Sequence, residues 1–287
     1  MKDTEKTDQV QMIRITELIP FKNHPFKVID DESMLRTTES ISLFGILTPL
    51  IARPVEDGKF EIISGHRRVH AAEAVGLTEV PVIVRKMDDD VATILVVDSN
   101  LQRERILPSE RAFAYKMKAE AMKHQGERTD LTLSQVGTKL RTDEQIAQQT
   151  GESRNQIQRY IRLTNLIPDL LDMVDQEKIS FNPAVELSYL KPDEQRNIIE
   201  AMDFTQAAPS LSQAQRLKKL SQEGKCTMDA MCEILGEIKK GELERVAFKS
   251  EQLRKYFPKS YTPKQMSDVI LKLLEQWQRK RQRDMER

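Results

Sequence analysis

The spacing of apolar positions divides the chain into an N-terminal stretch that mixes strands with helices and a longer remainder that is almost wholly helical. Residues 10–18 read as a short strand. Ile19-Pro20-Phe21 and the turn-rich Asn23-His24-Pro25-Phe26-Lys27 follow. Met34, Leu35, Ile41 and Phe44 recur at helical spacing and stop at Gly45, which predicts a helix over 31–44. Strands are predicted at 50–54 and 59–64 around an Asp57-Gly58 turn. Next come a helix at 67–75, a β-rich run at 80–84 and a helix at 88–101, with Asp88, Asp89 and Asp90 at its positive end.

From Leu107-Pro108-Ser109-Glu110 onward the strand signals nearly vanish. Pro108 suits the entry of a helix, predicted over 109–125 with Gly126 as its stop and a polar loop with a short helix at 127–140. Short helices continue to about residue 203, and Ala207-Ala208-Pro209-Ser210 reads as a linker. Helices at 211–222 and 227–240 follow, then a unit beginning at Val246-Ala247-Phe248 whose last helix starts at Thr262-Pro263. The expected class is α+β. A disordered tail at 1–9 precedes a small mixed α/β domain at 10–104, an all-α domain at 105–206 and a helical region at 207–287.

Composition narrows the function classes. Forty-five basic residues balance forty-five acidic ones, which excludes a uniformly basic nucleic-acid coat but leaves room for local basic faces. With 31% charged and 5% aromatic residues, the chain reads as helix-rich and surface-charged. The polar N-terminus fits neither a signal nor a transit peptide, and no run of about 18 apolar residues would span a membrane. Cys226 and Cys232 share one predicted helix and lack cysteine or histidine neighbours, so they read as ordinary thiols of a cytoplasmic protein.

Two stretches carry candidate chemistry. In Phe60-Glu61-Ile62-Ile63-Ser64-Gly65-His66-Arg67-Arg68 an apolar strand runs into a glycine, and two arginines then open a helix. Unpaired N–H groups and the positive end of the dipole favour an anion there, Gly65 permits close approach, and Arg67 and Arg68 supply forked donors. The plain alternative is a strand–helix junction with two solvated arginines.

The second stretch spans residues 142–163. A short helix, the turn Gly151-Glu152 and a second helix capped by Ser153 place Ala147, Gly151 and Ile157 at the small, turn and buried positions of a helix-turn-helix. The second helix presents Arg154, Asn155, Gln158, Arg159 and Arg162, with Ile157 and Ile161 inward. Amides and guanidiniums read base edges, so Arg154, Asn155 and Gln158 are expected on bases and Arg159 and Arg162 on phosphates. Two packed helices with a polar exterior would show the same polar face.

Over residues 10–205 these segments resemble the ParB family of partition proteins. Asn23-His24-Pro25-Phe26-Lys27 is similar to the family's first nucleotide box, and Gly45-Ile46-Leu47-Thr48-Pro49-Leu50-Ile51 to its Gly-Ile-x-Gln-Pro box. Ser64-Gly65-His66-Arg67-Arg68 corresponds to Gly-Glu-Arg-Arg. Asp98-Ser99-Asn100-Leu101-Gln102-Arg103-Glu104 corresponds to Glu-Asn-x-Gln-Arg, and Leu107-Pro108-Ser109-Glu110 to Leu-x-Pro-x-Glu.

The resemblance implies a CTP-binding module with slow CTPase activity, a DNA clamp set by the nucleotide, a centromere-like DNA site, a homodimer and a ParA-type ATPase partner. It assigns the triphosphate to Arg67, Arg68 and the Gly65–Arg67 backbone, the cytosine to the loop Gly45, Ile46, Leu47 and Pro49, and Mg²⁺ to Asn100. Asn23, Lys27, Ser64, His66, Gln102 and Arg103 complete the implied nucleotide set.

The chain departs from the family at two positions: His66 and Ser99 stand where it carries glutamates. Both lost groups are carboxylates that a metal and an attacking water would use, so turnover is expected to be slower than in relatives that keep them. Other outcomes of this architecture are a DNA-binding regulator with a vestigial nucleotide domain and a ParB-like phosphotransferase. A sulfiredoxin is excluded, because Gly65-His66-Arg67-Arg68 has no cysteine.

Beyond residue 209 the resemblance fades. Met266, Val269, Ile270, Leu273, Leu274 and Trp277 form one apolar stripe on a helix whose tip carries Arg279, Lys280, Arg281 and Arg283. Such a stripe suits a core, a coiled-coil seam or an oligomer interface, and the family's habit of C-terminal dimerisation favours the last. The basic tip suits either nonspecific phosphate contact or a solvated helix end.

Overall fold

The computed structural model describes residues 9–103, 106–130, 141–237, 256–258 and 261–285. The expected tail, the loop at 131–140, Glu104 and Val246-Ala247-Phe248 lie outside these residues, as do the side chains of the basic tip. Two compact units are present, Met1–Gly236 and Glu237–Arg287.

The first unit opens with a five-stranded sheet. Its strands are β1 (Val10–Arg14), β2 (Leu18–Ile19), β3 (Leu50–Pro54), β4 (Phe60–Ser64) and β5 (Glu79–Val84), in the order β1-β5-β3-β4-β2. The β1/β5 and β3/β4 pairs are antiparallel, and β2/β4 and β3/β5 are parallel. The single strand expected at 10–18 is in fact two, separated by a 3₁₀ turn at Ile15–Glu17. The sheet order gives the reason. β1 and β2 occupy opposite edges, so the chain must leave one edge and cross to the other, and Ile15 N–H bonds Thr78 O at the crossing.

Successive residues of a strand point to opposite faces, and β4 shows this directly. Ile62 packs with Leu50, Ala52, Val80 and Val82 against α1 (Glu32–Phe44) and α2 (His66–Ala74). Ile63 joins Phe21, Ala92 and Val96 on the other face, under α3 (Asp89–Leu101). Asp31 and Asp88 cap α1 and α3 by accepting from Met34 N and Val91 N, both at 2.8 Å.

The helical part begins with α4 (Pro108–Asp130). Gly126 does not stop this helix as expected. An interior glycine costs only about 1 kcal/mol relative to alanine, too little to end a helix of this length. Then come α5 (Thr142–Thr150), α6 (Arg154–Leu163), α7 (Pro168–Asp175), α8 (Phe181–Leu187), α9 (Pro192–Thr205), α10 (Leu211–Gln222) and α11 (Met228–Gly236).

Leu163, Leu170, Leu187, Ile198, Leu217, Met231 and Ile234 share one core. The segment expected as a linker at 207–210 is therefore part of the body: Ala208 packs on that core, Pro209 is buried and Ser210 caps α10 directly. α10 and α11 close onto α8 and α9, which carries the compact unit past residue 206 to Gly236. In the second unit α12 (Pro263–Met285) buries Met266 and keeps Leu273, Leu274 and Trp277 of its apolar stripe more than half exposed.

Candidate nucleotide and nucleic-acid sites

Gly65 is the hinge of the first site. It caps α2 with φ +111°, a conformation that L side chains rarely adopt, and a Cβ there would lie 2.2 Å from Leu50 Cδ2. The turn thereby sets Arg67 and Arg68 on different tasks. Arg68 Nη1 donates to Thr48 O and, at 3.0 Å, to Pro49 O. It pins the Gly45–Thr48 loop over a cavity of about 390 Å³ lined by Ser33, Thr37, Gly45, Ile46, Leu47 and Thr48. Burial lowers the pKa of Arg68 from its ordinary value.

Arg67 faces the other way. Its Nη2 donates to Asp31 Oδ1 and Ser33 Oγ, both at 3.1 Å. Asp31 lines a second, larger cleft of about 750 Å³ together with Lys27, Arg67, Arg103, Glu110 and Asp175. Ser33 lines the smaller cavity, so the Arg67–Asp31–Ser33 bridge stands between the two.

The larger cleft is not a bare cationic cradle. Lys27 Nζ lies 3.6 Å from Asp172 and 3.7 Å from Asp175. Arg103 stacks over the Phe26 ring at 5.4 Å, and burial lowers its pKa. Among the described residues its guanidinium makes no hydrogen bond, which leaves its fork open to an anion. Glu110, in the Leu107-Pro108-Ser109-Glu110 box, accepts from Lys27 N at 2.7 Å and Leu107 N at 3.0 Å. It ties the Asn23–Lys27 turn to the start of α4. Ser109 N and Oγ bond Asp175 at 2.9 and 2.5 Å. Sequence reasoning assigned no role to Asp31, Ser109 or Glu110; their signal is the placement of Asp31 ahead of α1 and of Ser109-Glu110 in the first turn of α4.

The remaining expected residues scatter. Asn23 holds a left-handed turn with φ 58° and lines neither cavity, and Ser64 ends β4. Gln102 lines a separate cavity with Asp98, Tyr115 and Lys118. Asn100 is buried and donates back into α3, to Val96 O at 2.8 Å and Ser99 Oγ at 3.3 Å. Ser99 Oγ donates to Val96 O at 3.0 Å, and Asp98 pairs with Lys118 at 2.5 Å. Among the described residues no group of three His, Cys, Asp or Glu could hold a metal ion.

His66 is no surface imidazole. It is buried, its ring stacks on His24 at 3.8 Å, and its Nε2 accepts from Phe21 N at 3.3 Å. His24 Nδ1 bonds Phe26 O at 2.7 Å, while its Nε2 is buried without a partner. Burial, then the neighbouring His24 and Arg103, pushes the His66 pKa down to about 3, and burial also lowers that of His24. The His66 ring folds neutral, so near the usual histidine pKa of about 6.5 the unfolded chain takes up a proton there that the folded one does not.

Stability is therefore complete above that pH and falls as pH drops from about 6.5 toward 3, by roughly 1.4 kcal/mol per pH unit for His66. Urea unfolding between pH 7 and pH 4 should show this slope, and His66→Gln should flatten it. An unchanged slope in the variant would remove His66 as its source.

The second site lies on α5 and α6. Gly151 ends α5 in the left-handed region (φ 73°), and Ser153 caps α6 by accepting from Gln156 N at 3.2 Å. Ile157 is fully buried with Ile146 and Tyr115, with Ala147 and Ile161 beside them, as the expected pattern requires. Asn155 is exposed. Arg154 Nε and Gln158 Nε2 both donate to Asp143 Oδ2 at 2.6 Å. Burial alone would raise the Asp143 pKa, but these two bonds hold the carboxyl below its ordinary value.

Arg159 and Arg162, expected on phosphates, are engaged inside the protein. Arg159 bonds Asn182 Oδ1 at 2.5 Å and stacks over Phe181 at 5.2 Å. Arg162 bonds Ser188 O at 3.0 Å and lies 3.9 Å over the Tyr189 ring, which clamps α6 to α8. A phosphate role for Arg162 would draw on the same guanidinium.

Comparison with known proteins agrees with this order of parts. A model of the ParB N-terminal domain matches residues 1–101, and a model of the ParB HTH domain matches residues 110–206. The chain is 35% identical over 176 residues to a probable chromosome 1-partitioning protein ParB of Deinococcus radiodurans, covering 61% of this chain and 54% of that one. It is 34% identical over 184 residues to stage 0 sporulation protein J of Bacillus subtilis, covering 64% and 59%. It is 28% identical over 194 residues to a nucleoid occlusion protein of a Geobacillus species, covering 68% and 63%. The chain thus spans about three fifths of the length of the curated relatives it matches. With two domain models in tandem and relatives of one kind, the chain belongs to the ParB family.

Proposed function

We propose that this chain is a sequence-specific DNA-binding partition protein that takes CTP in its N-terminal domain and a duplex site on α6. The observation that carries the reading is a pair of cavities linked by the Arg67–Ser33 bond, in the same compact unit as a formed helix-turn-helix. The smaller cavity, roofed by the Gly45–Thr48 loop that Arg68 pins, suits a base. The larger, with Lys27, Arg67 and Arg103, suits phosphates. Bound there, CTP would supply the negative charge that draws Lys27 and Arg67 off their internal partners and fills the open fork of Arg103. Any Mg²⁺ would arrive on the phosphates, with Asn100 the protein ligand that the family resemblance assigns to it. Turnover is expected to be slow, because His66 and Ser99 offer no carboxylate.

The nucleotide must compete with Asp31 for Arg67. Arg67→Ala should weaken CTP binding by about 1.5–3 kcal/mol, the worth of charge-assisted hydrogen bonds. Asp31→Asn keeps the cap of α1 but removes the competing charge, so it should tighten binding severalfold. Calorimetry in which Asp31→Asn binds no tighter than wild type would show that Arg67 is not the phosphate ligand.

On the DNA side, Asn155, Arg154 and Gln158 face outward from the first turns of α6. The exposed stripe of α12 supports a homodimer through that helix, and a ParA-type ATPase is the partner the family implies. Among the described residues no helix is long and apolar enough to cross a membrane, which accords with a nucleoid- or plasmid-associated protein of the cytoplasm. Retention on closed circular DNA carrying a selected site, with and without CTP, tests the clamp. Equal retention in both conditions would favour a plain DNA-binding regulator.

A further inference from the structure

Asp143 is placed as no residue of a simple packing helix needs to be. It sits in the first turn of α5, yet one of its oxygens reaches across to α6 and binds two side chains at once, Arg154 Nε and Gln158 Nε2, each at 2.6 Å. Arg154 and Gln158 are four residues apart and so share one face of α6. The other oxygen, Oδ1, accepts from Glu144 N at 3.1 Å, which fixes the carboxylate plane.

The consequence is chemical. With Nε occupied, Arg154 can offer only its outer edge, Nη1 and Nη2. Nη1 lies 3.6 Å from Glu144, too far for a hydrogen bond. That outer edge is a two-donor fork, the complement of guanine O6 and N7. For Gln158 the bond settles which way the amide points. Its nitrogen is held on Asp143, and the exposed side chain keeps its oxygen and one remaining N–H without a hydrogen-bond partner among the described residues. A side chain that offers an acceptor and a donor together matches the adenine edge.

We propose that Asp143, on α5, is a specificity-determining residue for the recognition helix α6, one that fixes Arg154 and Gln158 in their reading orientations without itself contacting a base. This rests on the reading of α6 as the helix that enters the major groove. The carboxylate has a second effect. It places a negative charge beside the two readers, so phosphates of a duplex shifted out of register are repelled and sequence-neutral binding is held down.

The test uses the full chain and a fully randomised duplex library, with sequencing of the bound fraction. Wild type is compared with Asp143→Asn, Asp143→Ala, Arg154→Ala and Gln158→Ala. The Asp143 variants should lose preference at the base pairs where Arg154→Ala and Gln158→Ala also lose it, by roughly tenfold for each contact. Their affinity for random duplex should rise severalfold while the other positions of the motif persist. Should Asp143→Ala fail to fold by thermal unfolding, the isosteric Asp143→Asn decides the matter. A motif lost in Arg154→Ala and Gln158→Ala but intact in Asp143→Asn overturns the role of Asp143 alone. A motif intact in all four variants overturns both the role and the reading of α6 beneath it.

Discussion

Replacing Gly65 with alanine will cost the N-terminal domain roughly 2–5 kcal/mol and abolish nucleotide binding. Two penalties add. The backbone at φ +111° is strained for any L side chain, and the new methyl would sit 2.2 Å from Leu50 Cδ2 in the fully buried centre of the sheet. Neither can relax cheaply, because Leu50 is held between β4 and β5 and Arg68 must stay on the Thr48 and Pro49 carbonyls. Gly76 is the built-in control. It is also left-handed, at φ +80°, but nothing lies within 4 Å of its hypothetical Cβ. Gly76→Ala should therefore lose only about 1 kcal/mol in urea unfolding and leave nucleotide binding intact. Equal losses at the two glycines would mean that the close approach at Leu50 is unimportant.

The second large effect is an asymmetry. Lys118 is 1% exposed and its ammonium is held by Asp98 Oδ1 and Gln149 Oε1, both at 2.5 Å. Asp98 is nearly half exposed at the other end of the same pair. Asp98→Ala would leave a buried ammonium with one amide oxygen, and losses of about 3 kcal/mol follow when one partner of a buried pair is removed. Lys118→Met leaves the Asp98 carboxylate and the exposed Gln149 amide, both of which water can reach, and methionine fills the stem's volume, so that variant should lose less than about 1 kcal/mol. Since Asp98 belongs to α3 and Gln149 to α5, the pair also fastens the sheet domain to the helix-turn-helix. Chemical denaturation of both variants reads the difference. Similar losses would show that Lys118 is hydrated in solution.

What the sequence conceals here is mostly long-range. Strand β3 at 50–54 and the start of α12 at Pro263 are readable because local apolar pattern and a proline set them. The break between β1 and β2 is not readable, since it depends on which sheet edge each segment joins. Gly126 looks like a helix stop by local rule and is overridden within a 23-residue helix.

The site divides in the same way. Gly65 and the two arginines announce a strand–helix anion site on their own. The separation of Arg67 and Arg68 into two cavities depends on Asp31 and on the carbonyls of Thr48 and Pro49, 19 to 36 residues away. His66 reads as an exposed substitution for a catalytic carboxylate until the fold stacks it on His24 and buries it. The DNA-reading face was legible in residue type. Its restraint by Asp143, 11 and 15 residues upstream, was not.

The central claim is that the cavities flanking Arg67 form one site for CTP. It is tested most directly by calorimetric titration of the full chain with CTP, ATP, GTP and UTP in turn, with Mg²⁺ and duplex DNA present. The account predicts that CTP binds at least about tenfold more tightly than the other three, a difference of roughly 1.4 kcal/mol, and that Arg67→Ala weakens CTP binding by about 1.5–3 kcal/mol. Equal affinity for all four nucleotides, or no heat with any of them, would contradict it.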